Sequence, residues 1–103
     1  MFALDQFIGL TLGEGARDDF EDPWEATESH IVTYLEGLAS LQSDLDHLFA
    51  TVATSDARLR TFRTAREAFR TGEEFDVWLQ AVRRRLQQAH AGIHLEPLVD
   101  PNL

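Results

Sequence analysis

Asp22–Val52, DPWEATESHIVTYLEGLASLQSDLDHLFATV, is the stretch whose reading decides the fold. Asp22 suits a helix N-cap, Pro23 suits the first helical position, and Glu25 stands where a capping-box carboxylate belongs. Apolar residues follow at Ile31, Tyr34, Leu35, Leu38, Leu41, Leu45, Leu48, Phe49 and Val52. Steps of three and four place them on one helical stripe, wide enough for more than one partner helix. The stretch predicts one long amphipathic helix over about 23–53, roughly 45 Å in length. Gly37 is its weak point, costing about 1 kcal/mol relative to alanine. With Ser40 and Ser43 nearby, a break within 37–43 is the main competing expectation.

Upstream, Phe2, Leu4, Phe7, Ile8, Leu10 and Leu12 fit a short helix through about Ile8, with Leu10–Leu12 either helical or extended. Residues 13–22, GEGARDDFED, read as an acidic loop in which Asp18, Asp19, Glu21 and Asp22 surround Phe20. The alternating ligands, central glycine and terminal glutamate of a calcium loop are missing there.

Downstream, Thr54-Ser55-Asp56 is a second capping cluster. The helix it opens, about 56–70, turns Leu59, Phe62, Ala65 and Phe69 inward and Arg58, Arg60, Arg63, Arg66 and Arg70 largely outward. Thr71-Gly72-Glu73-Glu74 closes that helix and starts another, about 73–91, on the stripe Phe75, Trp78, Leu79, Val82, Leu86 and Ala89. Gly92 and Ile93 suit a glycine C-cap, and the proline-containing tail 92–103 is expected to lie extended. The chain is thus expected to be a single all-α domain over 1–103: a small bundle built on the long helix, with a short N-terminal helix and an antiparallel C-terminal helix pair.

Composition limits the function classes. The chain has no cysteine, which excludes a disulfide framework, thiolate metal sites and a cysteine nucleophile. No apolar run approaches the ~20 residues that cross a bilayer, and the N-terminal residues lack the basic region of a secretory signal, so a cytoplasmic protein with no membrane role is expected. Eighteen acidic residues stand against nine basic ones, all arginine, for a net charge of −9. They are unevenly divided: residues 1–56 hold twelve acids and only Arg17, whereas residues 57–103 hold six acids and eight arginines. Direct binding to nucleic acid or anionic lipid would be opposed by this charge, and a basic protein partner favoured.

Catalytic motifs are missing. The chain has no G-x-S-x-G, no glycine-rich phosphate loop and no H-E-x-x-H, and its serines fall at helix surfaces or caps. Asp44 and His47 have the carboxylate-x-x-His spacing of di-metal bundles, yet no second such pair exists: Glu28 is only two before His30, and Gly92 separates His90 from His94. Thr33 and Tyr34 stand where a phosphorelay histidine at His30 would want a basic neighbour. A helix-turn-helix on Ala68 and Gly72 would open its reading helix with Glu73, Glu74 and Asp76, which phosphates repel. Arg83, Arg84 and Arg85 fan over about 200° of a helix, which suits ion pairs with the acidic half better than one ligand patch.

The expectation is therefore a non-enzymatic acidic protein-binding module with no cofactor and no metal. It would neutralise a basic, nucleic-acid-binding surface of a partner protein, as antitoxins, immunity proteins and phage anti-defence (anti-CRISPR-like) proteins do, with carboxylates standing in for phosphates. Its candidate docking residues are Asp18, Asp19, Phe20, Glu21, Asp22, Trp24, Glu25 and Glu28. The alternative is a self-associating assembly subunit, a homodimer or larger, held by contacts between the anionic front and the cationic back.

Overall fold

The computed structural model describes residues 2–13, 22–33 and 38–91. Among them are six helices and no strand: α1 (Phe2–Leu12), α2 (Pro23–Thr33), α3 (Leu38–Thr51), α4 (Ser55–Thr61), α5 (Arg63–Ala68) and α6 (Gly72–Ala91). The fold is a small all-α bundle, as the apolar periodicity requires.

Three helix starts follow from residues a few positions apart. The Asp22 carboxylate accepts from the Glu25 amide at 2.8 Å, opening α2. The Thr54 hydroxyl accepts from the Ala57 amide at 3.2 Å, opening α4. At α6 the Thr71 hydroxyl accepts from the Glu74 amide, while the Glu74 carboxylate reaches back to the Arg70 amide, both at 3.2 Å. This is a capping box displaced by one residue. The start of α1 is completed from a distance: the Asp44 carboxylate on α3 accepts from the Leu4 amide at 3.1 Å. A carboxylate there satisfies an orphan donor and lies at the positive end of the helix.

The sequence stripes become one core to which every helix contributes. Leu4, Ile8 and Leu12 come from α1, Trp24 and Ile31 from α2, Leu41, Leu45 and Leu48 from α3, Leu59 from α4, and Ala65 from α5. Phe75, Trp78, Leu79, Val82 and Leu86 of α6 are all fully buried, so α6 is the central rod. Its aromatic centre is continuous: Phe75 stacks on Trp78 with centroids 6.0 Å apart, Phe69 touches both, Phe62 meets Phe75 edge-on, and Phe7 covers Trp78.

Several details differ from the sequence expectations. The N-terminal helix continues to Leu12 and buries both Thr11 and Leu12. The stretch expected as one long helix is helical over 23–33 and 38–51; it runs unbroken through Ser40 and Ser43, and its passage across 34–37, with Gly37, lies outside the described residues. So do most of the acidic loop, 14–21, and the tail, 92–103.

The expected helix 56–70 is interrupted at Phe62, which is extended (φ −120°, ψ 111°). Leu59, Phe62 and Ala65 recur every third residue, a spacing that drifts around a 3.6-residue helix. Breaking at Phe62 brings all three to the core, at 9%, 4% and 0% exposure. The expected antiparallel C-terminal pair is also rearranged, because α4 and α6 begin at the same end. A Cβ on Gly72 would lie 2.5 Å from the Ser55 carbonyl carbon, and Arg58 bonds Asp76 one turn further along both helices. The antiparallel neighbour of α6 is α3: Arg58 and Asp76 lie beside Val52, while Arg83 lies beside Asp46.

Candidate docking surface

The expected docking residues divide into three groups. Asp18, Asp19, Phe20 and Glu21 lie outside the described residues. Asp22 and Glu25 form the first turn of α2, with Asp22 half-buried as the cap and Glu25 exposed. Trp24 and Glu28 turn inward. Trp24, expected as a surface anchor, is only 7% exposed and belongs to the core, because positions 24, 27 and 31 make the buried face of α2.

Glu28 binds Arg85 through two parallel bonds, Nε to Oε2 at 2.9 Å and Nη2 to Oε1 at 2.8 Å. This fork ties α2 to α6 in a nearly buried setting, with side-chain exposures of 6% and 18%. One position earlier, the buried Thr27 hydroxyl accepts from Trp78 Nε1 at 2.9 Å and donates to the Pro23 carbonyl. Both polar groups of this otherwise apolar contact are thereby satisfied. The acidic helix is therefore clamped to the central rod by its inner face, and Glu25 remains on the outer one.

The arginine run 83–85 splits as its angular spread requires. Arg83 pairs with Asp46 at 2.8 Å and lies over the Phe49 ring, Arg85 takes Glu28, and Arg84 is exposed. Arg58, expected outward, is instead buried at 8% exposure. It forks onto Asp76 at 2.8 and 2.6 Å, donates to the Val52 carbonyl at 2.6 Å, and lies 4.8 Å from the Phe49 centroid. Hydrogen bonding to Asp76 raises the Arg58 pKa, burial lowers it, and the Asp76 charge raises it again, with a net upward shift.

Both inward arginines had a signal in the sequence. Arg58 is four before Phe62, and Arg85 is three after Val82, so each lies on or beside an apolar stripe. Such a position implies a buried guanidinium that must find a carboxylate.

His47 is exposed, and Asp44 is engaged with the start of α1 rather than with His47. His30 Nδ1 lies 3.4 Å from the Thr11 hydroxyl. Among the described residues no three histidine or acidic side chains converge as metal ligands would, and no helix is long and apolar enough to cross a membrane. No family model, no curated protein and no solved structure matches the chain.

Proposed function

We propose that this chain is a non-enzymatic acidic binding module that docks on a basic surface of a partner protein, of the kind nucleic-acid-binding enzymes and effectors present. The observation that carries the reading is how little of the front-half charge the arginines compensate. Arg83 and Arg85 reach Asp46 and Glu28, while Arg58 and Arg63 pair within the back half, with Asp76 and Glu67. Residues 1–56 hold twelve acids against Arg17 alone, so the front half is strongly anionic even with Arg83 and Arg85 drawn to it. A net charge of −9 on a body of this size accelerates encounter with a cationic surface and repels nucleic acid.

The docking face in this proposal comprises Asp18, Asp19, Phe20, Glu21, Asp22 and Glu25. Trp24 and Glu28 act from behind it, fixing α2 to the bundle. An antitoxin, an immunity protein or an anti-defence inhibitor would each use such a face.

The test is affinity capture from host lysate at low salt, eluted by a salt gradient. A specific protein should elute before about 0.5 M salt, since exposed charge pairs weaken once the Debye length falls below the contact spacing. The variant D18N/D19N/E21Q/E25Q should fail to retain it. Retention that ignores both salt and this variant would remove the acidic face from the function.

A further inference from the structure

We draw no further inference here: the strongest candidate, the outer face of α1 where Gly9 has open space beside it and Leu10 is 55% exposed, carries nothing because nothing in the structure shows what covers it.

Discussion

Removing the Asp76 carboxylate should be among the most damaging single changes at any polar position of this protein. Arg58 sends Nε and Nη2 to Asp76 and Nη1 to the Val52 carbonyl, with side-chain exposures of 10% and 21% for the two partners. In Asp76→Ala the guanidinium stays charged, keeps only the carbonyl and the Phe49 ring, and cannot reach water without disturbing the start of α6. Breaking such a pair from one side costs about 3–5 kcal/mol when it is fully buried. Asp76 retains a fifth of its surface, so about 3 kcal/mol is expected. For a domain with a total stability of about 5–15 kcal/mol this is a large fraction, equivalent to a fall in Tm of more than about 10 °C.

Arg58→Met should cost less, about 2 kcal/mol, because it leaves no buried charge, only an unpaired carbonyl and a partly solvated carboxylate. The double variant R58M/D76A should cost about what R58M does, a coupling of about 2–3 kcal/mol. Urea unfolding followed by tryptophan emission would measure this, since Trp24 and Trp78 are both buried. The reasoning fails if D76A costs under about 1 kcal/mol, as a surface pair would, or if the single effects add to within about 0.5 kcal/mol.

Because the folded Arg58 pKa is raised, the stability it contributes is fully present below its unfolded value and is lost only as pH rises through the folded one. The stability difference between wild type and R58M should therefore be flat from about pH 6 to about pH 9; a slope there would mean another group carries the effect. Gly72→Ala gains about 1 kcal/mol of helix propensity but forces a methyl group to 2.5 Å from the Ser55 backbone, and should lower stability by about 2 kcal/mol on denaturant titration. Glu28→Gln leaves Arg85 nearly buried without a counter-charge and should cost about 2 kcal/mol, with faster hydrogen exchange in α2 than in α6. Phe62→Ala should cost about 3 kcal/mol, whereas Arg60→Ala, two residues earlier and exposed, should change stability by less than about 0.5 kcal/mol.

What this sequence determines by itself is what neighbours within one helical turn can encode. Asp22, Thr54 and Thr71 mark helix starts because a cap and its amide are three residues apart, and the stripe on Phe75, Trp78, Leu79, Val82 and Leu86 is legible because helical faces repeat on the same scale. The all-α class and the core residues of α1, α3 and α6 follow from those signals. Tertiary structure alone decided that the helix after Thr54 breaks at Phe62, that α4 and α6 start side by side, and which acids would face solvent. Glu28 is 57 residues from Arg85 and Asp76 is 18 from Arg58, so no local pattern joins them. Those pairings exist because packing the apolar stripes brings charged neighbours into a nearly dry space, where an unpaired charge costs more than the local conformational preferences at stake.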